Sequence, residues 1–209
     1  MKTSSKISIA KIIFKIFIFF GFKKKTIVKR NDIKWNIDIS EGIDLSIFLF
    51  GAFQPELVKS IKRYILDNKS NNTFFNIIDI GANIGDKSLS LSNSLLKSNF
   101  SNFKIFTIEP TDYAFKKQIS NINLNQNLKK KIFSYKNFIS YKKNKPKKIY
   151  SSWNLDTHKK LDNPHKIHKG ILKKINKSTK TISLDDFIKK NKIKDQIILK
   201  IDVDGFEMD

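Results

Sequence analysis

The sequence predicts an α/β fold built on a parallel β-sheet, and three observations lead to this prediction. Short, mostly apolar runs, at 74–80 and 196–201, are typical of strands that are buried on both faces. Segments with helical periodicity, such as 86–96, lie between the apolar runs. A tight turn from Gly81 to Gly85 joins the first run to the first of these helices. Alternation of this kind favours parallel strands with right-handed crossovers.

From residue 55 onwards, predicted helices and strands follow one another in a definite order. They are a helix from Pro55, a strand at 74–80, a helix at 86–96, a strand at 104–108, a helix from Thr111 to about Leu124, a strand at 132–138, a helix at 184–190 and a strand at 196–201. Thr111 or Asp112 and Ser183 are expected to cap helices. Residues 26–50 have no clean period, and residues 150–178 are irregular and rich in lysine. Since such a sheet grows outwards from its first strand, the expected strand order is 3-2-1-4, with the fourth strand at an open edge.

The charge of the chain is strongly positive. Forty-one Lys and Arg residues against 19 Asp and Glu give a net charge of +22, yet only Arg30 and Arg63 are arginines. Arginine reads guanine edges and clamps phosphates in a bidentate manner, so this composition argues against specific nucleic-acid recognition. A lysine-rich surface suits weak attraction to polyanions, including anionic lipid. The absence of cysteine excludes disulfides and cysteine-ligated zinc.

Residues 1–25 stand apart from the rest of the chain. The stretch 7–22 is mostly Ile and Phe, interrupted by Lys11 and Lys15 and followed by three lysines at 23–25. Sixteen helical residues span about 24 Å, which is less than the ~30 Å core of a bilayer. No small-residue cleavage site follows the stretch, as a signal peptide would require. We therefore predict an amphipathic helix at a membrane surface; a helix packed on the domain, or a short span or signal, is the alternative. The predicted contact face consists of Ile12, Ile13, Ile16, Phe17 and Phe20.

The turn from Asp79 to Asp86 is the sharpest local feature of the sequence. Gly81 and Gly85 allow a tight turn and a close approach of the backbone to a ligand, and the helix behind them offers free N–H groups to an anion. The nicotinamide fingerprint G-x-G-x-x-G is not met, because Asn83 and Asp86 occupy its second and third glycine positions.

Acidic residues follow two of the other predicted strands. Glu109 ends the second strand, beside the glycine turn in a right-handed βαβ unit, where a carboxylate can accept hydrogen bonds from ribose hydroxyls. The stretch 200–207 crowds Lys200, Asp202, Asp204 and Glu207 at the end of the last strand. Such a cluster suits a general base or an oxygen-ligated divalent cation. His165 and His168 are interpreted as solvated loop residues, and no metal site is predicted from them.

These stretches together resemble the FkbM family of methyltransferases. The resemblance rests on Asp79 to Asp86 as D-x-G-A-N-x-G-D, Thr107-Ile108-Glu109-Pro110 as the strand ending in Glu-Pro, Asn121 to Asn125 as N-x-x-x-N, Ser183 to Asp186 as S/T-L-D-D, and Lys200 to Glu207 as K-I-D-V-E-G-x-E. All five occur in the family's order. Asp204 stands where glutamate is the more usual residue.

The resemblance implies a Rossmann-like class I methyltransferase fold with S-adenosylmethionine as the methyl donor. Family members commonly methylate hydroxyls, often on sugars of glycolipids, polysaccharides or natural products. The implied cofactor-binding residues are Asp79 at the donor ammonium, Gly81, Asn83 and Gly85 in the turn that cradles its amino-acid end, Glu109 at the ribose, and Asn137 at the adenine. The implied catalytic residues are Asp202 as base, Asp204 and Glu207 as its supports, and Lys200, which orients them.

The sequence then divides into a membrane-proximal helix at 1–25, an extension at 26–73 and the methyltransferase domain at 74–209. Because the full fold has a helix and three strands beyond the fourth strand, we expect a truncated piece of that domain. The expected function is O-methylation of a small-molecule, glycan or lipid-linked acceptor; an RNA methyltransferase and a non-catalytic fragment are the alternatives. We expect a cytoplasmic protein in peripheral contact with the anionic inner face of the membrane.

Overall fold

A computed structural model describes residues 3–70, 72–141, 148–156 and 170–203. The chain forms two compact units, one of Met1–Phe53 with Lys148–Lys173 and the other of Gln54–Lys147 with Lys174–Asp209. The predicted boundary between residues 73 and 74 therefore falls inside the second unit, since the helix at Pro55–Asp67 packs on the helix that follows the glycine turn.

The helices and strands are numbered in chain order. They are α1 (Thr3–Phe19), β1 (Lys25–Arg30), β2 (Ile33–Asp38), α2 (Gly42–Phe50), α3 (Pro55–Asp67), β3 (Phe75–Ile80), α4 (Asp86–Lys97), β4 (Phe103–Ile108), α5 (Asp112–Asn123), α6 (Gln126–Lys129), β5 (Ile132–Tyr135), β6 (Asn137–Ile139), β7 (Lys148–Trp153), β8 (Gly170–Lys174), β9 (Lys180–Ile182), α7 (Leu184–Lys190) and β10 (Gln196–Ile201).

The hairpin β1–β2 supplies much of the core of the first unit. The two strands are antiparallel, with Lys25 opposite Asp38. Alternate residues of β2 turn inward, so that Ile33, Trp35 and Ile37 are almost fully buried. The region therefore follows a strand period of two that the sequence analysis did not detect. Likewise, the stretch predicted to be irregular at 150–178 contains most of β7 and all of β8.

The helix α1 ends in a well-defined capping motif. Gly21 has φ +76°, its N–H bonds to the carbonyl of Ile18, and the N–H of Phe22 bonds to the carbonyl of Phe17. This is the Schellman pattern, and its usual apolar contact is present, with the Phe17 and Phe22 rings 4.8 Å apart. Phe17 also packs edge-on against Phe48 of α2 at 5.4 Å. Of the predicted membrane-facing residues, Phe17 is thus part of the interior packing.

The second unit contains the predicted sheet. Four parallel strands follow the order β10-β3-β4-β5, which confirms the predicted order of 3-2-1-4. The register places Lys200 of β10 opposite Asp79 of β3, and Asp79 opposite Thr107 of β4. Among the described residues, β10 pairs on one side only, and Ile197, Leu199 and Ile201 are 40–42% exposed.

Both faces of β3 and β4 are covered. On one face Ile78, Ile80, Phe106 and Ile108 form a buried cluster with Phe187 of α7 and Ile193. The side chain of Ser183 accepts a hydrogen bond from the N–H of Asp186, so the predicted cap of α7 is confirmed. On the other face α3 and α4 pack together, and Ile77 and Ile105 line a small cavity beneath them with Asp79 and Lys200.

The predicted strand at 132–138 is divided in two. β5 ends at Tyr135, and β6 begins at Asn137 and pairs in parallel with β9 in a separate two-stranded sheet. The N–H of Glu109 bonds to the carbonyl of Tyr135, which marks the last contact of this strand with the main sheet. The single strand predicted at 132–138 therefore spans a change of partner strand.

Candidate functional site

The glycine turn lies at the carboxyl end of β3, with its backbone held by the neighbouring strand. The N–H groups of Gly81 and Ala82 both bond to the carbonyl of Ile108, at 2.9 and 3.1 Å. Gly81 has φ +74°, and a Cβ placed on it would lie 2.0 Å from the carbonyl oxygen of Asp202. Gly81 is therefore required both by its backbone conformation and by the close approach of the chain that follows β10.

Glu109 is directly connected to this turn. Its Oε2 accepts a hydrogen bond from the N–H of Asn83 at 3.0 Å, and its Oε1 accepts from the N–H and the hydroxyl of Thr111 at 2.9 and 2.6 Å. The side chain is 5% exposed. Burial raises the pKa of Glu109 above its ordinary value, against the lowering effect of the hydrogen bonds from Thr111 and Asn83 and of the charge on Lys200. The predicted proximity of Glu109 to the turn is thus observed.

Asp79 lies in the interior of the unit, at 2% exposed. Its Oδ2 accepts a hydrogen bond from the hydroxyl of Ser88 at 2.6 Å, and its Oδ1 lies 2.9 Å from the Nζ of Lys200. These internal partners occupy the carboxylate that the sequence analysis assigned to the donor ammonium. That assignment stays a prediction, and in this arrangement Asp79 holds a lysine of the same chain.

Lys200 ties the last strand to the turn. Its Nζ donates to the carbonyl oxygen of Gly81 at 3.1 Å and lies 3.8 Å from Oδ2 of Asp202. Burial would lower the pKa of Lys200, but the charge and the hydrogen bond of Asp79, with the charges of Asp202 and Asp86, raise the pKa above its ordinary value. Lys200 is therefore a charged group held under the first glycine.

The predicted catalytic residues are only partly described. The side chain of Asp202 is 62% exposed, at the point where the chain leaves β10. Its N–H bonds to the carbonyl of Ile80, which fixes the backbone beside the turn. Asp204 and Glu207 lie outside the described residues, as do His165 and His168.

Asn137 is placed on a different strand pair from the one predicted. It begins β6, and its Nδ2 donates to the carbonyl of Lys180 at 3.2 Å. The side-chain amide of Asn137 therefore stabilises the pairing of β6 with β9, and its contact with adenine stays a prediction.

Three residues that stabilise the site were not predicted to be part of it. Thr111 occupies the predicted cap position of α5, but its hydroxyl bonds to Glu109 and makes no cap bond to the helix. Ser88, one turn into α4, holds Asp79. Asn121, fully buried on α5, donates to the carbonyl of Ile84 inside the turn at 3.0 Å. The signal for Asn121 was present as the first asparagine of the N-x-x-x-N stretch.

Comparison with known proteins supports the predicted family. A family model described as the methyltransferase FkbM domain matches residues 79–209. No curated protein matches the chain. The chain is similar to a solved structure, TYW2 of P. horikoshii in complex with MeSAdo, with 23% identity and a TM-score of 0.34. That alignment covers 55% of this chain and only 36% of the other.

The family match covers more than half of the chain and includes every candidate site residue described above. It confirms the predicted family, the predicted α/β fold with a parallel sheet, and S-adenosylmethionine as the predicted cofactor. The chain belongs to the FkbM methyltransferase domain family.

Proposed function

We propose that this domain transfers a methyl group from S-adenosylmethionine to a hydroxyl of a sugar, or of another glycan or lipid-linked acceptor. The observation that carries the proposal is the hydrogen bond from the Asn83 N–H to Glu109. It joins the glycine turn after β3 to the acidic end of β4, at the carboxyl edge of the sheet where α/β folds bind their ligands.

The residues present fit such a donor. An ionised carboxylate has about four acceptor sites, and the three hydrogen bonds from Asn83 and Thr111 leave about one of them, on Oε2 of Glu109. That site is suited to one ribose hydroxyl. Gly81 and Asn83 are partly exposed, and their positive φ angles make the turn tight. Lys200 and Asp79 hold the turn from below.

S-adenosylmethionine supplies an activated methyl group on a sulfonium, so that the domain mainly has to align acceptor and donor. Transfer forms a carbon–oxygen bond, breaks the carbon–sulfur bond and releases a proton from the acceptor hydroxyl. Asp202 is the proposed base for that proton, because it is the exposed carboxylate beside Gly81. The Nζ of Lys200 lies 3.8 Å from the Oδ2 of Asp202.

The nature of the acceptor is supported by two observations. A hydroxyl acceptor needs a base, which Asp202 can provide, and hydroxyls of sugars are common acceptors among proteins that share these motifs. An RNA acceptor is less well supported, because Arg30 and Arg63 are the only arginines in the chain.

Donor binding is tested by thermal denaturation with S-adenosylmethionine or its demethylated product. At a hundredfold excess over Kd, a ligand that binds only the folded state stabilises it by about 2.7 kcal/mol. Glu109→Gln should lose most of that stabilisation. The matched control is Asp44→Asn, the same change at a buried carboxylate of the first unit, which should keep it. An equal ligand response in Glu109→Gln would remove Glu109 from the site.

The acceptor is tested with donor carrying a radiolabelled methyl group and with separate pools of glycolipid, polysaccharide and RNA. Label in the glycan-containing pools, stable to base and lost in Asp202→Asn, supports the proposal. Label in RNA alone would overturn the proposed acceptor while leaving the donor site intact.

A further inference from the structure

We propose that α1 docks on an anionic lipid surface through a face that is exposed among the residues that the structure describes. This docking face consists of Ile9, Ile12, Ile16, Phe19 and Phe20, which are 46–85% exposed. The proposal is independent of the acceptor proposed above, because it concerns the first unit alone.

The helix has two apolar faces. Ile7 and Phe14 are each 5% exposed and form the inward face. With about 100° of rotation per residue, the docking face lies on average about 180° away from them and covers an arc of roughly 100°. One side of α1 is thus buried against the rest of the first unit, and the docking face on the other side exposes apolar side chains to solvent.

The docking face differs from the one predicted from the sequence. Ile13 and Phe17, both in the predicted set, are partly buried, and Phe17 packs against Phe22 and Phe48. Phe19, absent from the predicted set, is the most exposed apolar residue of the docking face at 85%. The capping motif at Gly21 fixes the end of the helix and so holds Phe19 and Phe20 outward.

The positive charges around the docking face favour an anionic binding partner. Residues 1–25 contain seven lysines and no acidic residue. Lys6 and Lys15 are exposed and lie about 90° to either side of the docking face on the helix, and Lys23 and Lys25 are exposed just beyond its end. Lysines at the margins of an apolar helix face can reach lipid phosphates while the apolar side chains enter the acyl region.

A second copy of the chain fits this face poorly. Two such helices in contact would bring their lysines together, with no acidic residue among residues 1–25 to compensate the repulsion. Insertion across a bilayer also fits poorly, because no helix among the described residues is both long and apolar enough to span one. A helix that lies along an anionic membrane surface buries its apolar face in the lipid and places its lysines near the lipid phosphates.

The experiment is cosedimentation of the full chain with phosphatidylcholine vesicles, with and without phosphatidylglycerol. Ile12→Glu and Phe19→Glu should each weaken binding to the anionic vesicles by about tenfold or more, since each removes a large apolar side chain from the lipid and adds a like charge to it. Binding of the parent chain should fall with added salt.

The matched control is Ile27→Glu, because Ile27 of β1 is 60% exposed against 59% for Ile12 but lies on the hairpin. It should bind vesicles like the parent chain. Circular dichroism checks that the variants keep their helices, and Phe19→Glu decides the matter if Ile12→Glu does not fold. Equal binding by Phe19→Glu and the parent chain would overturn the proposal. A dimer in gel filtration that Phe19→Glu dissociates, without vesicle binding by the parent chain, would instead identify a second copy as the occupant.

Discussion

Glu109 and Asp202 follow two strands, β4 and β10, that flank β3 on opposite sides, yet their carboxylates lie in contrasting environments. Glu109 is 5% exposed and accepts three hydrogen bonds, while the side chain of Asp202 is 62% exposed, with Lys200 at 3.8 Å. An immobilised carboxylate suits a fixed ligand group, whereas an exposed one can exchange a proton. Position at a strand end therefore does not decide the role of a carboxylate; its hydrogen-bond donors do.

Lys200 contacts both Asp79 and Asp202, and its substitution should lower the free energy of unfolding more than the other changes proposed here. Among the described residues, Lys200→Met would leave the buried Asp79 with Ser88 as its remaining partner, and removal of one member of a buried ion pair costs about 3–5 kcal/mol. Urea unfolding followed by circular dichroism measures this loss. Lys194→Met, at an exposed lysine, is the control and should change stability by less than about 0.5 kcal/mol. Equal midpoints for the two variants would show that Lys200 does not support the turn.

Gly81 and Gly85 allow the next comparison, because both have positive φ and differ in what surrounds them. Gly81→Ala meets the Asp202 backbone at 2.0 Å, while Gly85→Ala meets the Gln118 side chain at the longer distance of 3.2 Å. We expect a loss of about 3 kcal/mol for Gly81→Ala and about 1–2 kcal/mol for Gly85→Ala. Urea midpoints would give the ranking, and the reverse order would mean that the end of β10 does not approach Gly81 closely.

The buried environment of Glu109 should appear in the pH dependence of stability, with a smaller effect. Because the pKa of Glu109 is raised on folding, the folded state binds the proton more tightly than the unfolded state does. The resulting stability is present below the unfolded pKa and is lost as pH rises through the folded pKa. Glu109→Gln should remove this decline. Parallel pH profiles for the two proteins in urea unfolding would contradict the raised pKa.

Asp202→Asn should have the smallest effect on stability, below about 0.5 kcal/mol, because the side chain that is replaced is mostly exposed to solvent. The same change should lower methyl transfer by roughly 10²–10⁴-fold if Asp202 is the base. Donor-induced stabilisation should be unchanged, in contrast to Glu109→Gln. A loss of donor stabilisation in Asp202→Asn would remove the distinction between the two carboxylates.

The features that could be predicted from the sequence are those that follow from strand topology and from the capping preferences of individual residues. The strand order, the cap at Ser183 and the proximity of Glu109 to the glycine turn follow from alternation and right-handed crossovers. The ion pair between Lys200 and Asp79 could not be predicted, because it depends on the register between β10 and β3, which no residue pattern determines.

The orientation of α1 was predicted only in part, for a related reason. Ile and Phe occur on every side of this helix, so periodicity does not distinguish a buried Phe14 from an exposed Phe19. The burial of Ile7 and Phe14 identifies the inward face, and the packing of Phe17 and Phe22 on Phe48 agrees with it.

One side of β10 is unpaired in the part of the chain that the structure describes, and this has a consequence for handling the protein in solution. A free strand edge that carries Ile197, Leu199 and Ile201 is a template on which another chain can add a strand. A net charge of +22 keeps the chains apart at low ionic strength. Salt shortens the range of that repulsion but leaves the hydrogen-bonding edge unchanged. Colloidal stability should therefore fall as salt is added, and a lysine in place of Leu199 should restore it.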